Sequence, residues 1–181
     1  GLANPPSRLC GIAAVCAPLD LARGARAIDS PRAWVYRRSV LSGLIDNYVG
    51  FSKTELAPTP LERVQQITTL REWDALTVVR RFGFESVDAY YAQQSAGPRL
   101  GDLRCDTLFI ASRADPMVPF HTVEPWLGAT PETLTLRVTA RGGHVGFPPD
   151  LDLGLGPTPG LSAQVLQWFE ERAGGRPSLI L

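Results

Sequence analysis

The sequence lacks net charge. Its 181 residues include 18 basic and 18 acidic side chains, so the formal charge at pH 7 is zero. The basic side chains are nearly all arginines, with Lys53 the single lysine. A protein that binds nucleic acid through its phosphates usually carries an excess of positive charge. The charge balance therefore argues against nucleic acid as a partner.

Long apolar runs are also missing. No run approaches the roughly 18 residues that cross a bilayer, and residues 1–6 lack the basic and then apolar layout of a signal peptide. The three cysteines show no metal-binding spacing, and six extended residues would hold Cys10 and Cys16 about 20 Å apart, too far for a disulfide. We therefore expect no transmembrane segment, no metal site and a reducing, cytoplasmic location.

The rest of the composition is that of a globular domain, with 44% hydrophobic and 20% charged residues. Residues 11–17 and 107–111 are short apolar runs, typical of strands that are buried on both faces. Residues 134–139 alternate apolar and polar side chains, as a strand nearer a sheet edge does.

Helical patterns separate these strands. Ser30 and Pro31 predict the start of one amphipathic helix, and the capping box Thr59-Pro60-Leu61-Glu62 predicts a second that runs toward residue 70. Further helices are predicted at 86–95 and from 161 to about 174. Strands separated by helices predict a parallel α/β sheet. The stretch 147–160, rich in glycine and proline, is expected to be a surface loop.

Two polar side chains follow the second and third predicted strands. Asp115 lies on a proline-bounded loop, and His144 lies among glycines that allow a sharp turn. Because ligands gather at the carboxyl ends of parallel strands, these loops are the first place to look for a site. A carboxylate that orients an imidazole makes it a general base for a serine hydroxyl. The alternatives are that Asp115 caps a turn and that His144 is an ordinary loop histidine.

Other side chains carry weaker signals. His121 has no neighbouring ligand cluster, so a metal role for it is not expected. Trp34, Tyr90 and Tyr91 either line a substrate pocket or pack in the core, which is the commoner fate of aromatic residues. The remaining candidates, Cys10, Cys16 and Cys105, are interpreted as small core residues.

The order strand, ADPMVP (114–119), strand, GGHVGF (142–147) resembles α/β-hydrolases, and in detail their YheT-like branch of esterases and lipases. The similarity extends over most of the chain. Its further segments are residues 17–18, 35–38, 71–74, 83–86, 90–91 and 95. One departure is Ala114, which stands where the branch usually has an acidic residue.

This resemblance implies that residues 1–181 are the C-terminal part of one α/β-hydrolase domain, with three parallel strands, flanking helices and a helical cap-like segment at about 30–96. It implies a serine carboxylic-ester hydrolase that acts on short- or medium-chain esters or acylglycerols and needs no cofactor or metal. Asp115 would orient His144, and His144 would act as general base and then general acid.

The nucleophile of such a triad is missing. Hydrolases of this fold carry it in G-x-S-x-G, and that motif is absent from the sequence. Ser7, Ser30, Ser42 and Ser112 lack the surrounding glycines. We therefore expect the serine and the oxyanion hole to lie upstream, and the chain alone to be nearly inactive. Two alternatives stay open, an acyltransferase with the same acyl-enzyme and a non-catalytic interaction module derived from a hydrolase; the oligomeric state is also open.

Overall fold

The computed structural model describes residues 9–128 and 130–174. These residues form two compact units, one made of residues 18–96 and the other of the described residues up to 17 and from 97 onward. The first unit is helical, and the second contains the sheet. Within the described residues, no helix is both long and apolar enough to cross a membrane.

The sheet has three parallel strands in the order β1-β2-β3. They are β1 (Ile12–Val15), β2 (Thr107–Ser112) and β3 (Leu134–Thr139). The three predicted strands and the predicted α/β class are confirmed. In the register of the sheet, Phe109 lies between Ala14 of β1 and Leu136 of β3.

Burial differs among the strands. Every residue of β2 is buried, as its apolar sequence predicts. The prediction that the first strand is buried on both faces is wrong, because all four residues of β1 are only partly buried. In the described sheet β1 pairs with β2 alone and is therefore an edge strand. The other edge strand is β3, as predicted, but its burial does not follow the alternation of its sequence, because the apolar Val138 is exposed and Thr139 is buried.

Helices account for most of the remaining regular structure. In chain order they are α1 (Leu21–Ile28), α2 (Trp34–Phe51), α3 (Leu61–Val64), α4 (Leu70–Leu76), α5 (Val78–Phe82), α6 (Val87–Gln94), α7 (Phe120–Val123) and α8 (Leu161–Arg172). The predictions at 86–95 and 161–174 are confirmed by α6 and α8. The helix predicted at Ser30 begins as a 3-10 turn, Pro31–Ala33, that continues into α2.

The predicted capping box at Thr59 is wrong. The Thr59 side chain is buried and donates to the carbonyl of Leu76, so it caps no helix, and α3 is only four residues long. The capping box forms ten residues later instead. There, Thr69 accepts from the backbone N–H of Glu72, and the Glu72 carboxylate accepts from the backbone N–H of Thr69. Both segments have the sequence T-x-x-E, and tertiary burial of Thr59 decides between them.

The stretch 147–160 is not simply a surface loop, which corrects the prediction. Three of its side chains, Leu151, Leu153 and Leu155, pack in the core beside Leu108 and Ile110 of β2 and Trp168 of α8. The fully buried Gln164 of α8 binds this loop through four hydrogen bonds. Its oxygen accepts from the backbone of Leu153 and Leu155, and its amide donates to the carbonyls of Gly156 and Thr158. A loop without regular structure thus covers one face of the sheet.

Candidate functional site

The carboxyl ends of β2 and β3 carry the two side chains that the sequence singles out. Asp115 lies shortly after β2 and His144 shortly after β3. Because the strands are parallel and adjacent, their carboxyl ends meet at one edge of the sheet. There Nδ1 of His144 lies 3.0 Å from Oδ2 of Asp115, which is hydrogen-bonding distance.

The Asp115 loop holds its carboxylate rigidly. Oδ1 accepts from the backbone N–H groups of Met117 at 2.8 Å and Val118 at 2.9 Å. The side chain folds back onto its own loop in this way, a conformation that aspartate favours in turns. With Oδ1 fully engaged and only 1% of the side chain exposed, Oδ2 is the oxygen left to face His144.

The His144 loop turns on a glycine with a left-handed backbone. Gly142 has φ +97, and a Cβ at this position would overlap the ring of Phe147. The turn is closed by a hydrogen bond from the N–H of Gly143 to the carbonyl of Gly146. As a result the imidazole reaches Asp115 while 27% of the side chain stays exposed.

The electrostatics of the pair fix the tautomer of the imidazole. Burial would raise the pKa of Asp115, but hydrogen bonds from Val118, His144 and Met117 outweigh it and lower that pKa below its ordinary value. The carboxylate is therefore ionised at neutral pH and can only accept. Nδ1 must then carry the proton, which leaves the lone pair of a neutral imidazole on Nε2.

Two further side chains join this cluster, and the sequence analysis assigned neither of them to the site. The hydroxyl of Ser112, the last residue of β2, donates to the carbonyl of Gly142 at 2.6 Å. The thiol of Cys16, directly after β1, donates to the carbonyl of Gly143 at 3.6 Å. The signal available in the sequence was position alone, since each residue lies at the carboxyl end of a strand in this sheet.

The cysteines follow the prediction only in part. Cys16 is buried, but beside polar groups and not in an apolar core; Cys105 is partly buried, and Cys10 is exposed, so its interpretation as a core residue is wrong. All three thiols are free. Burial and the neighbouring Asp115 carboxylate raise the pKa of Cys16 to about 12, so this thiol stays protonated at neutral pH.

Among the described residues, one group of side chains has the donor atoms of a metal site. Cys16, Asp115 and His144 each offer one ligand atom, and these atoms lie within 4.8 Å of one another. Sulfur, nitrogen and oxygen together suit a zinc-like ion. An ion there would compete with the hydrogen bond between Asp115 and His144 and would have to displace the thiol proton.

The weaker candidates lie elsewhere. His121 is exposed on α7 and belongs to no ligand group within the described residues. Tyr91 is buried in the helical unit, where its hydroxyl donates to the buried Asp74 at 2.6 Å, so core packing describes it. Tyr90 packs beside it, and Trp34 is 56% exposed on α2. Of the serines weighed as nucleophiles, Ser7 lies outside the described residues.

Comparisons with known proteins find distant relatives among esterases and lipases. The chain is 31% identical to “Putative esterase YheT” of Escherichia coli over 74% of this chain and 39% of that protein. It is 24% identical to phospholipase ABHD3 of Homo sapiens over 67% of this chain and 30% of that protein. It is 26% identical to monoacylglycerol lipase of Saccharomyces cerevisiae over 64% of this chain and 21% of that protein.

The chain thus spans about two fifths or less of these relatives, since the largest of the three shares is 39%. No protein-family model matches it. No solved structure matches it with statistical significance.

Proposed function

We propose, from the premise that this chain is a distant homologue of part of the α/β-hydrolase esterases and lipases, that it supplies the acid and the base of a serine carboxylic-ester hydrolase. Asp115 is the acid and His144 the base. The nucleophilic serine is supplied by sequence outside this chain. The observation that carries the proposal is the hydrogen bond between Nδ1 of His144 and Oδ2 of Asp115, which leaves Nε2 as a free base.

The proposed reaction uses this geometry. Nε2 of His144 removes the proton from the serine hydroxyl, and the serine oxygen attacks the ester carbonyl. The imidazolium, stabilised by Asp115, then returns the proton to the departing alcohol as the acyl-enzyme forms. In the second half, the same nitrogen takes a proton from water as the water oxygen attacks the acyl group, and the imidazolium then returns this proton to the departing serine oxygen, which releases the acid and the free serine.

The side chains of this chain that lie near the pair do not serve as the nucleophile. The Ser112 hydroxyl is buried and donates to a backbone carbonyl, not to His144. The thiol of Cys16 donates to the carbonyl of Gly143, and its raised pKa keeps it protonated at neutral pH, so it offers no thiolate nucleophile. This supports a serine that comes from elsewhere, and the chain alone is accordingly proposed to be nearly inactive.

The substrate is proposed to be an ester of a short- or medium-chain acid or an acylglycerol. Two of the relatives are named as a phospholipase and a monoacylglycerol lipase, so their names place lipid esters among the substrates of related proteins. The carboxylate–imidazole pair supports the ester chemistry, while the acyl length is proposed from the resemblance of the sequence alone.

The test is hydrolysis of p-nitrophenyl butyrate by this chain and by a longer protein that includes the coding sequence preceding it. The longer protein is expected to be active, and His144→Ala to lower its kcat/KM by about 10⁴-fold or more. The control is His121→Ala, which changes the other histidine and should leave the activity unchanged. Activity in the short chain would contradict a nucleophile outside it. A folded but inactive longer protein would favour the non-catalytic interaction module.

A further inference from the structure

Two consecutive carbonyls just before His144 are each held by a buried side chain from a neighbouring strand end. Gly142 accepts from the hydroxyl of Ser112 at 2.6 Å, and Gly143 accepts from the thiol of Cys16 at 3.6 Å. Ser112 and Cys16 are 2% and 3% exposed. Loop carbonyls at a sheet edge can usually accept hydrogen bonds from water. These two instead accept from buried side chains, which ties the loop to two strand ends.

The Ser112 hydroxyl also binds the other loop of the pair. Its oxygen accepts from the backbone N–H of Ala114 at 3.1 Å, one residue before Asp115. A single hydroxyl thus donates to the loop of His144 and accepts from the loop of Asp115. Because it uses both capacities of a hydroxyl group, it fixes the distance between the two loops.

Cys16 reaches the His144 loop through an unusual backbone conformation. It is the only non-glycine residue with positive φ, +50, among the described residues. An L-residue rarely adopts this conformation, which persists only where the surroundings impose it. The backbone N–H of Cys16 donates to the carbonyl of Ile110 at 2.8 Å. The chain turns at Cys16, directly after β1, and this places the thiol close to Asp115 and His144.

We propose that Ser112 and Cys16 are positioning residues that hold the loops of Asp115 and His144 at hydrogen-bonding distance. Ser112 is the principal one, because its bond to the His144 loop is short and it joins both loops. Cys16 is secondary, because a thiol is a weak donor. The catalytic meaning of this role rests on the proposed function, whereas the positioning itself is a property of the folded chain.

The readout is the tautomer of His144, measured by long-range ¹H–¹⁵N correlation spectra at a pH where the imidazole is neutral. The chain has two histidines, so His121→Asn assigns the signals and His121 serves as an internal reference. In the wild type His144 is expected to carry its proton on Nδ1, because Asp115 accepts it. This measurement needs no ester hydrolysis, so its failure is distinct from a failure of the proposed function.

The variants separate positioning from general stability. Ser112→Ala is expected to lower the ratio of Nδ1–H to Nε2–H tautomer about fivefold, the effect of one hydrogen bond, and Cys16→Ala about twofold. The conservative changes Ser112→Cys and Cys16→Ser retain a donor and should restore part of the ratio. The matched control is Thr107→Val, which removes a buried hydroxyl at the opposite end of β2 and should leave the ratio unchanged.

Amide spectra establish whether each variant is folded. If an alanine variant does not fold, the conservative variant at the same position, Ser112→Cys or Cys16→Ser, is measured in its place. A folded Ser112→Ala variant with the wild-type ratio would overturn the proposal. So would an equal loss of the ratio in Thr107→Val, because the effect would then reflect stability and not the bridge between the loops.

Discussion

Gly142 and Gly143 are adjacent, but only one of them requires glycine. A side chain at Gly142 would meet the ring of Phe147 and would have to adopt φ +97. At Gly143 the nearest atom to a Cβ is Cδ of Pro116 at 3.9 Å, an ordinary contact. The residue before His144 can therefore change, whereas the residue before that cannot.

We expect Gly142→Ala to lower the free energy of unfolding of the chain by about 2 kcal/mol through strain and overpacking. In the longer protein it should also reduce ester hydrolysis, since it displaces the loop of His144. Urea unfolding and the kcat/KM for p-nitrophenyl butyrate check both effects. Gly143→Ala is the matched control. An equal loss of unfolding free energy in the two variants would contradict the claim that the positive φ and the contact with Phe147 make glycine necessary at position 142.

The lowered pKa of Asp115 gives a pH dependence of stability with a definite sign. Its ionised carboxylate stabilises the fold above the pKa of the unfolded chain, about 3.9, and this contribution is lost as the pH falls through the lower pKa of the folded chain. We expect the difference in unfolding free energy between wild type and Asp115→Asn to be largest near neutral pH and to shrink below about pH 4. Urea unfolding at several pH values measures it, with Asp46→Asn on the exposed part of α2 as the control. A difference that grows on acidification would contradict the lowered pKa.

At the residue scale, the sequence predicted Asp115 and His144 because each follows a recognisable strand within a short loop. It did not predict Ser112 and Cys16 as partners of that pair. Their bonds join residues 30 and 127 positions apart in the chain, so they depend on which strands are neighbours. A position after a strand shows that a side chain lies near the site, but not what it binds.

At the element scale, strands were easier to predict than helices. Apolar runs and alternation gave all three strands, because burial in a sheet leaves a direct pattern in the sequence. From Thr59 toward residue 70 the sequence predicted one helix, and it predicted neither α4 nor α5, since the T-x-x-E motif at Thr59 was as good a signal as the one at Thr69 that forms. The loop 147–160 was assigned to the surface because its many glycines and prolines are typical of exposed loops. Its three buried leucines follow no helical or strand pattern that would have indicated a core segment.

The role of Gln164 can be tested at the level of this loop. Gln164→Ala would leave four backbone groups of residues 153–158 without their partner, so we expect a loss of about 3 kcal/mol or more in unfolding free energy. The control on the same helix is Gln167→Ala, which removes one long bond of 3.4 Å and should cost less than about 1 kcal/mol. Chemical unfolding measures the unfolding free energy of both variants. Similar losses in the two would mean that the loop does not depend on Gln164.

At the scale of the whole molecule, the pair of Asp115 and His144 lies within the unit that contains the sheet, and residues 18–96 form a separate helical unit. That the helical unit acts as a cap stays a prediction from the resemblance. The α/β class was predicted from strands that alternate with helices, and the relationship to esterases and lipases was predicted chiefly from two loop motifs and their order. The parts of the sequence outside those motifs set the packing, and their contacts could not be predicted.

The central claim is that Asp115 and His144 activate a serine that this chain does not contain. Its most direct test is labelling of the longer protein with a fluorophosphonate, followed by mass spectrometry of the modified peptide. We expect one modified serine outside residues 1–181, with labelling lost in His144→Ala and retained in His121→Ala. A label on Ser112 or Cys16, or labelling that does not depend on His144, would contradict the claim.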